Sequence, residues 1–396
     1  MGNRSYPEPM SGRTGIVGAV SVMALVVAAC SPTTEATSST SVASTTTTSV
    51  ASTTTQPPTT AQPPTTTTTS LPPFIISDAI NGLPVDDPAS IDRRLVAIKI
   101  DNHERARPQS GLMESDIVFE ILVEGGYTRF IAMFHQSDHD WVGPVRSGRP
   151  TDINVIKPLG APFQISGAQT YVIQMFRDES LRMVYDNGTT TWRGEHRMAP
   201  HNLYSSSLLI RDWADTQGWP DESPGNIFTF GEPVSTTDRA HRIMFDWSGR
   251  PNVNWLWSGT EYVRLNEDEP HGWVDQEGEE GIVRFPTLLA IIGEKYTVHP
   301  PPTTTTTSTT TTTLEGAEPT PPPITPKEPT SVPAIDLLGT GEAVLFHDGV
   351  AVTGTWSKAS KSADFELFLE DGSIMVVPPS KIWVSIFPSN REITWE

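Results

Sequence analysis

Apolar positions along the chain fall into two kinds of run. The first, Ile16 to Ala29, is one unbroken block of about fourteen residues. It is too short for a bilayer core of about 30 Å, which takes about twenty helical residues. Behind Arg4 and Arg13 it suits the apolar core of an export signal covering residues 1–29. The remaining runs are short and of strand type. Leu95–Ile100, Ile117–Leu122 and Arg129–Phe134 are predicted strands, the last two joined as a hairpin across Glu124-Gly125-Gly126-Tyr127. Thr151–Lys157, Tyr171–Arg177 and Ser205–Gly218 carry helical spacing. In the last, Ser205 is the expected cap, Leu209 and Trp213 share a face, and Gly218 ends the helix. Further strands are expected at Leu288–Ile292, Glu342–His347 and Val350–Val352. Phe365–Leu369, Ile374–Val377 and Ile382–Ile386 read as a β-meander turned at Asp371-Gly372. The fold class expected is α+β, with a mainly β second part.

Composition separates these elements from two tracts without a core. Residues 30–73 are almost wholly Thr, Ser, Ala and Pro, and are expected to form a disordered tether. A similar run over 300–333 sits between two strand candidates, and reads as an insertion within one domain. The chain has 396 residues and a formal charge of −20, which argues against nucleic acid as a partner. Its single cysteine, Cys30, excludes an internal disulfide or a cysteine zinc cluster. That cysteine closes Leu25-Val26-Val27-Ala28-Ala29-Cys30, which resembles the bacterial lipobox. A diacylglyceryl group on Cys30 would anchor the exported chain to the membrane.

Four constellations carry candidate chemistry. Asp101, Asn102, His103, Arg105 and Arg107 follow a strand directly. Either Asp101 orients His103 while Arg105 or Arg107 holds an anion, or Asp101 and Asn102 cap a turn and the arginines are solvated. Glu120, Glu124 and Arg129 surround the hairpin: a Glu120–Arg129 ion pair is one reading, a general acid or base the other. Arg146, Ser147 and Arg149, framed by Gly143-Pro144 and Pro150, suit an anion cradle, because guanidinium forks match carboxylate and phosphate. His201, Asn202 and Tyr204 stand before the longest helix. The run His135–Asp140 has metal-friendly residue types without one-face spacing and is expected in an exposed loop. No metal site and no cofactor are expected.

The longer motifs resemble the YerB-like lipoprotein family. They are Asn81-Gly82-Leu83-Pro84-Val85, Asp101-Asn102-His103, Ala106-Arg107-Pro108-Gln109-Ser110-Gly111-Leu112, Ser115 ahead of Asp116-Ile117-Val118, and Glu120. Val123-Glu124-Gly125-Gly126, Thr128-Arg129-Phe130, Gly143 to Arg149 and His201-Asn202-Leu203-Tyr204 continue the pattern. Gly354-Thr355-Trp356-Ser357-Lys358, Asp371-Gly372 and Trp383 complete it. The resemblance implies an exported bacterial lipoprotein with an N-terminal domain over 74–225 and a smaller, β-rich one over 226–396. The Thr/Pro insertion departs from the family's compact second domain. The family supplies no catalytic residues, so the site is read from this chain alone. The reading is a binding module for an anionic cell-wall component or metabolite. The alternative is a metal-independent hydrolase or transferase, with Glu120 or Glu124 as acid or base and His103 or His201 as its partner. Both require the ends of Asp101, His103, Glu124, Arg129, Arg146 and His201 to meet at one cleft.

Overall fold

The computed structural model describes residues 76–247, 253–302 and 329–396. The expected export signal and tether, Cys30 and most of the 300–333 run lie outside the described residues.

The first apolar runs form β1 (Val96–Asp101), β2 (Ile117–Leu122) and β3 (Thr128–Phe134). Every residue of all three is buried. Their runs are continuous rather than alternating because both faces of the sheet are covered. The β2–β3 turn passes through Gly125 and Gly126 at φ of 70° and 78°, a region that only glycine enters without strain. β4 (Phe163–Gln164) pairs parallel with β1, and β5 (Met183–Val184) with β4.

The chain was expected to divide into two domains near residue 226. Strands from both sides of that point build one ten-stranded sheet. Its order is Glu366–Leu369, Val350–Lys358, Gly339–His347, Thr287–Gly293, Ile382–Pro388, β2, β3, β1, β4, β5. Ile382–Pro388 is not the last strand of a meander. It crosses to the middle of the sheet and runs parallel to both Thr287–Gly293 and β2. Strands Lys295–Val298 and Val332–Ile335, which flank the Thr/Pro run, pair antiparallel with each other.

One face of the sheet, through Ala97, Phe119, Ile131, Leu289 and Val384, packs on α1 (Asp152–Leu159) and α2 (Thr170–Asp178). The other, through Ile98, Val118, Phe130 and Trp383, packs on a second sheet that contributes Ile243, Trp255 and Tyr262. α3 (Ser207–Thr216) adds Ile210 to that second core. Its cap is Ser206, whose Oγ accepts from the Leu209 N–H at 3.4 Å, and not the expected Ser205. Its buried face carries Ile210 and Ala214, while Leu209 and Trp213 stay half-buried. The described residues hold three α-helices against many strands, so the molecule is more β than the α+β expectation. Among them, no helix is long and apolar enough to cross a membrane.

Candidate functional site

β1, the β2–β3 turn and the loop leading into α1 end at one place. A cleft of about 380 Å³ opens there, and Asp101, His103, Glu124, Arg129, Arg146 and Arg149 all line it. His201 does not line the cleft but touches Asp101 from 100 positions away in sequence: its Nδ1 lies 2.8 Å from Asp101 Oδ2. Asp101 therefore orients His201 and not the expected His103. It meets His103 only through the backbone, its Oδ1 accepting from the His103 N–H at 3.2 Å. His103 Nδ1 accepts from the Arg105 N–H at 3.1 Å, which assigns its ring proton to Nε2. The His103 ring is stacked between His201, at 4.7 Å, and Tyr127, at 5.0 Å. Burial first, then the adjoining His201, push His103 below the ordinary imidazole value, so the ring is uncharged at neutral pH.

The guanidiniums differ in how far the chain satisfies them. Arg149 is fully engaged: Nε and Nη2 both stand 2.8 Å from Glu124 Oε2, and Nη1 donates to Gly148 O at 2.7 Å. Burial alone would raise the Glu124 carboxyl. The Arg149 hydrogen bond and charge outweigh it and hold Glu124 below the usual value, as a carboxylate. Arg146 Nε lies 3.2 Å from Asp101 Oδ2 without aiming its N–H at it. Arg129, only 9% exposed, donates from Nη1 to Ser147 O at 2.6 Å, while its buried Nε has no hydrogen-bond partner among the described residues. Burial, then the charge of Arg149, move Arg129 well below the usual guanidinium value. Behind it, fully buried Lys99 binds Asp152 at 2.6 Å. Burial brings Lys99 down to about 8, with Asp152 opposing.

Several expected site residues lie elsewhere. Glu120 sits opposite Phe130, and Arg129 opposite Ile121, so the two point to opposite faces of the sheet and form no ion pair. Glu120 is fully buried against Arg264 at 2.7 Å, and also accepts from Thr128 Oγ1 at 2.7 Å and Trp383 Nε1 at 3.0 Å. Its place outside the cleft removes it as an acid or base there. Asn102 is held inside by Thr128, Arg107 and Gln109. Arg107 spends its Nε and Nη2 on Asn102 and does not line the cleft. Ser147 serves through its carbonyl, its hydroxyl lying 3.3 Å from Ser166 Oγ. Asn202 ties its own loop to Gly194 and Arg197, and Tyr204 is buried against Trp141 at 4.4 Å. His135 is not in an exposed loop. It is buried, with Nδ1 2.7 Å from Asp78 Oδ2. A larger groove of about 940 Å³, lined by Phe228, Phe230 and Phe365, uses a separate set of residues and no basic group.

Tyr127, Gln169, Thr330 and Lys99 were not anticipated. Gln169 and Thr330 bind each other at 2.7 and 2.9 Å on the cleft rim. Lys99 carried a legible signal, a cation inside the apolar run Leu95–Ile100. Also unforeseen is the chain of contacts behind the loop 101–109. Arg264 Nη1 donates to His271 Nδ1, so the His271 proton is on Nε2 and is donated to Gln109 Oε1 at 2.7 Å. Gln109 Nε2 in turn donates to Asp101 O at 3.0 Å.

Family models match both halves of the chain: residues 80–220 match the N-terminal domain, and 242–384 the C-terminal domain, of the protein of unknown function DUF3048. The chain belongs to the DUF3048 family. It is 26% identical over 311 residues to the Bacillus subtilis protein named "Putative lipoprotein YerB", covering 75% of this chain and 82% of that one. The crystal structure of YerB from Bacillus subtilis shares the fold at 22% identity. The TM-score is 0.63, over 81% of this chain and 99% of that one. The two DUF3048 segments meet in the central sheet, and the cleft belongs to the first of them, apart from Thr330.

The link between the DUF3048 segments is expected to depend on pH through His271. Burial first, then Arg264 and Arg107, hold His271 well below its ordinary 6.5. As pH falls through 6.5 the unfolded chain takes up a proton that folded His271 refuses. Stability is therefore expected to fall with acidification, by up to about 1.4 kcal/mol per pH unit from this group. Urea unfolding between pH 7.5 and 5.5 measures it. The His271→Gln variant is expected to show a shallower decline, and a slope identical to the parent's counts against the assignment.

Proposed function

We propose that this DUF3048 protein is exported, held at the extracytoplasmic face of the cell membrane through lipid on Cys30, and uses the arginine cleft to hold an anionic cell-wall component or metabolite. The observation that carries the ligand reading is Arg129. It is a cleft-lining cation that burial and two neighbouring guanidiniums disfavour. A bound anion supplies the missing counter-charge. The acidic remainder of the molecule repels anions, which confines their binding to this spot.

Calorimetric titration with inorganic phosphate and with acetate tests it. The double variant Arg129→Ala/Arg146→Ala is expected to bind at least about tenfold more weakly, as lost charge-assisted hydrogen bonds imply. Added salt is expected to act in the same direction. A folded double variant with the parent's affinity ends the anion reading. The anchor has its own test: Cys30→Ala is expected to move the protein from the membrane fraction to the soluble or secreted one. Unchanged membrane retention rules out the lipid on Cys30.

A second reading, a metal-independent hydrolase or transferase, draws on the Asp101–His201 contact. Asp101 fixes Nδ1–H and leaves His201 Nε2 to act as a base, with Arg146 sharing the same carboxylate oxygen. Turnover that His201→Gln abolishes while phosphate binding persists is the result this reading needs.

A further inference from the structure

Two features of the cleft are left over by a bare anion. The first is its acceptors. Asp101 and Glu124 line it beside the three arginines. Glu124 is held as a carboxylate by Arg149, and Asp101 Oδ2 stands 2.8 Å from His201 Nδ1 and 3.2 Å from Arg146 Nε. Carboxylates repel an incoming anion and accept from donors. A ligand made only of anionic oxygens satisfies the guanidiniums and leaves both carboxylates against it. A ligand with hydroxyl groups beside its anionic group satisfies donors and acceptors at once.

The second feature is an aromatic wall. Tyr127 and His103 both line the cleft, and His103 is stacked between Tyr127 and His201. The stack fixes the plane of Tyr127, so its ring is a preformed surface rather than a side chain to be ordered on binding. The apolar C–H face of a saturated ring covers such a surface while its hydroxyls point outward. A nucleobase also stacks on an aromatic plane. At about 380 Å³ the cleft is near the lower end of the roughly 300–1,000 Å³ of small-ligand sites. That is room for one ring with its anionic group.

We propose that the cleft takes an acidic sugar, one pyranose unit bearing a carboxylate or a phosphate ester. Its anion sits on Arg129 and Arg146, its hydroxyls donate to Asp101 and Glu124, and its ring lies against Tyr127. This rests on the anion-site reading and narrows it.

Calorimetry on the full chain compares glucuronate with acetate, and glucose 1-phosphate with inorganic phosphate, with neutral glucose as control. Each sugar anion is expected to bind at least about tenfold more tightly than its bare counterpart. Tyr127→Ala is expected to reduce that ratio to within about threefold, and Tyr127→Phe to keep it. An oligouronate that binds better per unit than glucuronate makes the source a wall polymer, and one that binds worse makes it a free sugar acid. Either result keeps the sugar class. Acetate and phosphate binding as tightly as their sugar forms overturns the sugar class and leaves the anion site. Adenosine monophosphate binding more tightly than glucose 1-phosphate overturns it in favour of a nucleotide. If none of these anions is retained, the anion reading itself falls. The comparison in the parent protein decides even where Tyr127→Ala does not fold.

Discussion

Glu120→Gln or Arg264→Met, made singly, is expected to destabilise the protein by about 3–5 kcal/mol. Both side chains are fully buried and 2.7 Å apart, so removing one charge leaves the other without a counter-ion in a medium that solvates it poorly. The Arg264 side chain is fully shielded from solvent. Its guanidinium lies over Phe130, Trp255 and Trp383, at 5.3, 5.8 and 5.1 Å from the ring centres. Thr128 and Trp383 also lose a charged acceptor in Glu120→Gln. Against a total stability of about 5–15 kcal/mol, either variant stands near the limit of folding. The double variant Glu120→Leu/Arg264→Met is expected to recover most of the loss, because no lone buried charge remains. Urea unfolding of the three proteins measures this. Single variants within about 0.5 kcal/mol of the parent are incompatible with a buried pair whose partners depend on each other.

A chain cut at the boundary of the two DUF3048 segments is expected to lose its fold altogether. In the piece 76–225, β2 loses its partner Ile382–Pro388 and becomes an edge strand. Ile117, Phe119 and Ile121 lose the Val384 and Ile386 side of their core, and Val118 and Phe130 lose the second sheet. A long, apolar, unpaired edge pairs with other copies rather than staying monomeric. Glu120 is also left buried without Arg264. The piece expressed alone is expected to aggregate, and co-expression of 226–396 to restore a soluble complex. A cooperative thermal transition from 76–225 by itself overturns this. The cleft depends on the same union, because His271 holds Gln109, and Gln109 holds the backbone of Asp101.

Local patterns carried the elements that depend on neighbours in sequence. The β2–β3 hairpin was legible because two apolar runs flank a double glycine. α1 and α2 follow from helical spacing, and α3 was misplaced at its cap by a single residue. The arginines that line the cleft were legible as a type, since Gly143 to Pro150 frames Arg146 and Arg149. What escaped was partner choice. Glu120 interrupts an apolar run and so calls for a partner, but that partner, Arg264, stands 144 positions away. The nearer Arg129 is excluded by strand parity, which no local pattern reveals before the register is known. Asp101 met the same difficulty: the adjacent His103 caps its own turn, and the distant His201 takes the carboxylate.

By itself, the amino-acid order determined that this chain has one cysteine, a body of short strands, and basic residues concentrated in a few loops. Those are properties of composition and short-range periodicity. Tertiary structure alone decided that the two segments share one sheet, that Ile382–Pro388 carries Trp383 onto Glu120, and which guanidinium reaches the cleft without a full set of partners. The physical reason is that a side chain's charge state and free donors depend on what surrounds it in space. Those surroundings come from strands hundreds of positions apart, brought together only when both cores close.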